Sequence, residues 1–133
     1  MKRQNIQPEA LAQRVVDGRV LYSHVVVVEG HRMIFVAGQL ARDAHGNVVG
    51  KGDIKAQTEQ VFANLKAVLK AAGGTLDDLV MTTTYIVDRQ YREGYNEVRR
   101  AQYKKNPPTS TLVIVSGLAN PDYLIEINGI AVI

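Results

Sequence analysis

Val25-Val26-Val27-Val28 is a run of four β-branched residues, and Thr111-Leu112-Val113-Ile114-Val115 is a second apolar run near the other end of the chain. Such residues favour extended backbone, and neighbours along a strand point to opposite sides, so each run places apolar side chains on both faces of any sheet it joins. Both faces must then be kept from water. Only two helical patterns accompany these runs, enough to cover one face. The other face, left bare, would be a larger apolar patch than a soluble monomer tolerates. A homo-oligomer packed sheet against sheet is therefore expected, with ligand clefts at the junctions between copies.

The remaining elements follow from periodicity and punctuation. Residues 20–28 and 33–37, separated by Glu29-Gly30-His31, read as a β-hairpin. The glycine-rich stretch 40–52 reads as a loop. Ile54, Gln57, Val61, Leu65, Val68, Leu69 and Ala72 recur at helical spacing behind a capping Asp53, and Gly73-Gly74 supplies the stop. A third strand is predicted over 79–87, where three threonines stand in a row. A second helix is predicted over 89–104, capped by Asp88, ended by Pro107-Pro108, and carrying Tyr91, Tyr95, Val98 and Gln102 on one face. Strands over 111–115 and 123–133 complete the order ββαβαββ. This is an α+β layout in which two helices pack on one face of a mixed β-sheet. Residues 1–133 make a single domain, with 1–18 as an irregular N-terminal segment.

The chain has 133 residues, 46% hydrophobic and 22% charged, the balance of one folded globular domain rather than a disordered or fibrous chain. It contains no cysteine, which excludes disulfides, thiolate nucleophiles, iron–sulfur clusters and cysteine-bound zinc. The charges at Lys2 and Arg3 lead into Gln7-Pro8-Glu9 instead of an apolar stretch, and no apolar run approaches the ~20 residues of a spanning helix. A cytoplasmic protein without a membrane partner is expected. The net charge of +3 favours anionic partners without naming one. Arg89, Arg92, Arg99, Arg100, Lys104 and Lys105 are interleaved with Asp88, Glu93 and Glu97, which reads as a solvated helix face rather than an RNA site.

Two imitations of binding motifs fail on spacing. Residues 46–51 resemble a phosphate loop but lack one residue between the glycines, and Gly52 stands where a magnesium-binding hydroxyl is required. His24, His31 and His45 lack the i, i+4 spacing of helical metal ligands. No metal and no cofactor is expected.

Glu126 lies in the apolar segment 123–130. Burial against another copy would raise its pKa and suit it to donating a proton or activating water; the alternative is a solvated edge strand shared with Asn128. Tyr22 and His24 point to one side and Ser23 to the other, which argues against a Ser–His dyad. A tyrosine hydroxyl at 22 can orient a carboxylate or a water, whereas His24 reads as a hydrogen-bonded structural histidine. Gly38-Gln39 follows a strand, where backbone N–H groups can meet an anion or simply form a turn.

Taken as a set and in order, Tyr22-Ser23-His24-Val25-Val26, Val36-Ala37-Gly38-Gln39, Gln57-Thr58 with Asn64-Leu65, Ala71-Ala72-Gly73-Gly74, Tyr95-Asn96-Glu97-Val98 and Ile125-Glu126-Ile127 resemble the Rid family of reactive intermediate deaminases, also called YjgF-like or endoribonuclease L-PSP-like. The resemblance covers about Arg19 to Ile133. It implies a chorismate-mutase-like fold, a homotrimer with intersubunit clefts, and hydrolysis of enamine or imine metabolites to keto acids and ammonia without metal or organic cofactor. By position it implies Glu126 and Tyr22 as the catalytic pair, with Gly38, Gln39, Asn96 and Ser110 at the substrate. Ser110 departs from the family pattern, which has an arginine there to grip the substrate carboxylate; a neutral hydroxyl cannot supply that bidentate, charge-assisted contact. Ala37 likewise replaces a serine. The readings are therefore a deaminase of altered specificity, a non-catalytic small-ligand sensor using the same cleft, and, ranked last, an RNA-binding or endoribonuclease-type translation inhibitor.

Overall fold

The computed structural model describes residues 2–13 and 15–133. Four strands form the central sheet: β5 (Met33–Leu40), β6 (Leu79–Ile86), β7 (Thr109–Ile114) and β8 (Ile125–Val132), in the order β5-β8-β6-β7. β8 runs antiparallel to both β5 and β6, while β7 is parallel to β6, so the sheet is mixed. Helices α1 (Ile54–Ala71) and α2 (Arg92–Arg100) pack on one face of it. The layout is α+β, as expected.

The first helix forms where the periodicity places it. Asp53 accepts a hydrogen bond from the Ala56 N–H at 3.1 Å, satisfying one of the orphan donors of the first turn. Gly73, with φ of 86°, ends it in the left-handed conformation that costs glycine nothing. Its inward face carries Val61, Phe62, Leu65 and Leu69, all essentially inaccessible, against Val36, Ile127 and Ala131 of the sheet. Val68, expected inside, is exposed at the edge of that face.

Several expectations need correction. β4 (Val25–Glu29) does not pair with β5; it pairs antiparallel with β1 (Lys2–Ile6), with Gln4 opposite Val27. The intervening turn is drawn to the chain end instead, where the N–H groups of His31 and Arg32 donate to the Ile133 carbonyl. The N-terminal segment is accordingly not irregular throughout. Besides β1 it holds a small hairpin of β2 (Val15–Val16) and β3 (Arg19–Val20). Asp17 and Gly18 form its turn with φ of 51° and 72°, the paired positive values of a type I′ turn. The second helix is shorter than predicted: Asp88 caps a single 3₁₀ turn over Arg89–Tyr91, and α2 ends at Arg100, short of the prolines.

The sheet face away from the helices is bare. Met33, Phe35 and Met81 project from it with 61%, 72% and 47% of their surfaces accessible. No helix among the described residues is long and apolar enough to cross a membrane.

Candidate functional site

The predicted site residues fall into two groups. The first is built on a bulge. Between Val36 and Gln39 the β5–β8 register slips, so that Ala37 and Gly38 together stand beside Asn128. Glu126 is half-buried on β8, across from Leu40 on one side and Tyr85 on the other. Its carboxylate occupies the space that a side chain at 38 would fill: a Cβ on Gly38 would lie 2.0 Å from Glu126 Oε1 and 2.8 Å from its Cδ. Gly38 is thus required for close approach, and its φ is not in the left-handed region. Gln39 adjoins it, with Nε2 donating to the Ala37 carbonyl at 3.0 Å.

Two side-chain amides, Asn64 and the buried Gln57, hold this group in place. Asn64 donates from Nδ2 to the carbonyls of Leu40 and Arg42, both at 2.9 Å, fixing the exit of β5. Gln57, fully buried in α1, donates to the Asp122 carbonyl at 2.8 Å and accepts from the Leu124 N–H at 2.8 Å, fixing the entry to β8 two residues before Glu126. Satisfied amides of this kind rigidify what they join. Gly38 and Gln39 open onto a cavity of ≈ 460 Å³ with Arg42, Asn64 and Val68 in its walls, and Glu126 is not among the residues that line it.

The second group meets at the other edge of the sheet. Tyr22, Asn96 and Ser110 line one cavity of ≈ 110 Å³ together with Arg92, Arg99 and Leu112. Ser23 places the tyrosine: its N–H donates to the Pro108 carbonyl at 3.2 Å and its Oγ to Pro107 at 2.7 Å. Asn5 on β1 adds a bond to Ser23 Oγ at 2.7 Å, and Gln7 donates to the Tyr22 carbonyl at 2.8 Å. The His24 ring bonds the Ala12 carbonyl at 2.8 Å and meets the Tyr22 ring edge-on at 5.2 Å, a structural role as expected.

Within one chain the groups cannot meet. Ser110 registers with Thr82, which is buried against the helices, while Glu126 registers with Tyr85, three positions on and therefore on the opposite face. Tyr22 and Ser110 share a pocket; Glu126 does not belong to it.

Sequence reasoning missed Arg92 and Arg99. Their charge pattern reads as a solvated helix face, yet Arg92, Tyr95, Asn96 and Arg99 follow the i, i+3, i+4, i+7 pattern of a single helical stripe, and both arginines line the cavity of Ser110. That spacing was the available signal.

A family profile described as endoribonuclease L-PSP matches residues 13–133. RutC family proteins of Pyrococcus horikoshii and Saccharolobus solfataricus are 39% and 44% identical to it, over 78% and 74% of this chain and 82% and 78% of theirs. The solved structure of YyfB, a conserved Rid family protein from Yersinia pestis, superposes with a TM-score of 0.90 at 36% identity, covering all of both chains. RidA from a Psychrobacter species gives 0.72 at 30% identity, covering 98% of this chain and 99% of that one. Motifs, fold and relatives agree, and the chain belongs to the Rid family, the proteins also described as endoribonuclease L-PSP.

Proposed function

We propose that this protein hydrolyses an imine or enamine metabolite in a cleft between two copies of the chain. One copy offers Glu126, Gly38 and Gln39, and the next offers Tyr22, Asn96 and Ser110. The observation that carries this reading is the Glu126 carboxylate seated in the gap left by Gly38, on a face of the sheet that the chain's own helices do not cover. The bare apolar surface around Phe35 and Met81 gives a second copy its reason to bind there.

In the cleft, water adds to the C=N carbon of the imine, the form to which an enamine tautomerises, while Glu126 takes a proton from that water and passes it to the nitrogen, giving a neutral carbinolamine. The carbinolamine then collapses: Glu126 takes the proton of its hydroxyl and delivers it to the nitrogen as the C–N bond breaks, and a carbonyl compound and ammonia leave. The Tyr22 hydroxyl orients the water, and the Asn96 amide and Ser110 hydroxyl bind the substrate's polar groups without demanding a carboxylate of one geometry. Specificity accordingly shifts from that of family members with an arginine at the position of Ser110.

The test is ammonia release from a panel of freshly generated imines. Glu126→Gln, which keeps the shape and loses the base, is expected to lower the rate by about 10²–10⁴-fold. Saturable binding of the same compounds with no ammonia from the unaltered protein would favour the sensor reading instead.

A further inference from the structure

Behind the Tyr22 cavity lies a second one of ≈ 250 Å³ on the far side of Arg99. Arg19, Arg99, Arg100, Lys104 and Lys105 contribute to its walls, with Gly18, Val20, Leu21, Tyr103 and Pro107 as the neutral remainder. No acidic residue is among them. Five cationic residues thus line one concavity in a chain whose net charge is only +3. Among the described residues the ion pairs are Lys2–Glu29, Lys51–Asp122 and Lys55–Glu97, and none of the five takes part. Glu97 feels the charge of Arg100 but is bonded to Lys55. Burial pushes the Tyr103 phenol well above its usual range, so it adds no negative charge.

Arg99 is the second, independent sign of a ligand. It is 4% exposed, Nη1 donates to the Leu21 carbonyl, and its guanidinium lies 5.3 Å over the Tyr103 ring, but Nη2 is buried with no partner among the described residues. An unpaired buried charged donor is costly, and an anion entering the cavity would relieve it by drawing the Arg99 guanidinium toward itself. The carbonyl of Arg100 is already bonded by Arg19 Nη1 at 3.1 Å, which draws β3 onto the end of α2 and closes the cavity on that side.

The geometry points to a binding site for a small phosphate monoester, with the phosphate dianion held among Arg99, Arg100, Lys104 and Lys105. The charge count favours a dianion over a monocarboxylate, since phosphate carries about −1.5 to −2 near neutral pH and offers three acceptor oxygens. The volume equals about eight waters at ~30 Å³ each, enough for a phosphate and a short carbon tail. A nucleic-acid strand fits poorly, because strand binding draws on exposed aromatic platforms and the one ring here is buried under Arg99. Arg99 and Leu21 belong to the walls of both cavities, so a phosphate here would fix the partition beside Tyr22.

The inference is independent of the hydrolytic reading, and its test is a binding measurement. Inorganic phosphate and glycerol phosphate are titrated calorimetrically into the full chain at constant ionic strength, with acetate and a single-stranded RNA oligomer as alternatives. One saturable phosphate per chain is expected, weakened at least tenfold in Lys104→Ala/Lys105→Ala, an exposed pair whose loss spares the core, and again in Arg100→Ala, with unchanged melting in both. Equal binding of acetate, affinity untouched by these variants, no saturation in the millimolar range, or displacement of phosphate by RNA at stoichiometric concentration would each overturn it.

Discussion

Gly38→Ala is expected to abolish imine hydrolysis as thoroughly as the loss of Glu126 itself, a fall of about 10²-fold or more, while shifting the melting temperature by no more than about 4 °C. The added methyl carbon would lie 2.0 Å from Glu126 Oε1, nearer than any real contact. Backbone conformation offers no resistance, because Gly38 does not have a positive φ. The colliding atoms are the far end of a flexible side chain, so the carboxylate swings aside and the fold survives. The cost therefore falls on chemistry rather than stability. Steady-state kinetics beside a thermal melt separate the two. Undiminished turnover in this variant would show that the seat of Glu126 is not where water is activated.

The second large effect concerns assembly. Phe35→Asp should leave a folded single chain at low micromolar concentration and remove hydrolysis with the cleft. Phe35 is 72% exposed on the side of the sheet away from the helices, flanked by Met33 and paired with Ile130. Burying such a side chain contributes about 1.5–3 kcal/mol per copy, and a carboxylate put in its place must be desolvated as well. The helix-side core of Phe62, Leu65 and Leu69 is untouched, so helical circular dichroism should persist. Sedimentation of the variant as the same oligomer as the parent protein would place the subunit contact elsewhere.

Much of the central fold was legible because its signals are local. The apolar periodicity of α1 and the β-branched content of β6, β7 and β8 dictate element type without reference to distant partners. Pairing is another matter. β4 could have joined β5 through a three-residue turn, but residues 31–32 bond to Ile133 and a polar N-terminal strand pairs with β4 instead. Nothing in Lys2–Ile6 alternates strongly enough to announce a strand. Asp17-Gly18, by contrast, is a hairpin-turn dipeptide legible in the sequence itself.

The candidate site divides in the same way. Glu126 could be singled out as a charge within an apolar strand, but the role of Gly38 depends on a bulge that brings it against Glu126 from a strand far away in sequence. Arg92 and Arg99 were hidden by composition: among alternating charges they looked solvated, whereas their spacing sets them on the stripe of buried Tyr95 and Asn96. The division of the six site residues between two faces of one sheet could be seen only once the register was known.

That division makes the most direct test independent of any substrate. The natural chain has no cysteine, so Gln39→Cys/Ser110→Cys carries thiols only at one residue from each group. A cleft that admits a substrate is wider than the ~7 Å Cα separation a disulfide can bridge, so a short bis-maleimide is the appropriate linker. Cross-linked at low micromolar concentration and run under denaturing conditions, the double variant should give covalent dimers and trimers, while either single variant stays at one chain length. A double variant that remains wholly at one chain length, folded and fully reacted with the reagent, would contradict the meeting of Glu126 and Ser110 across a junction between copies.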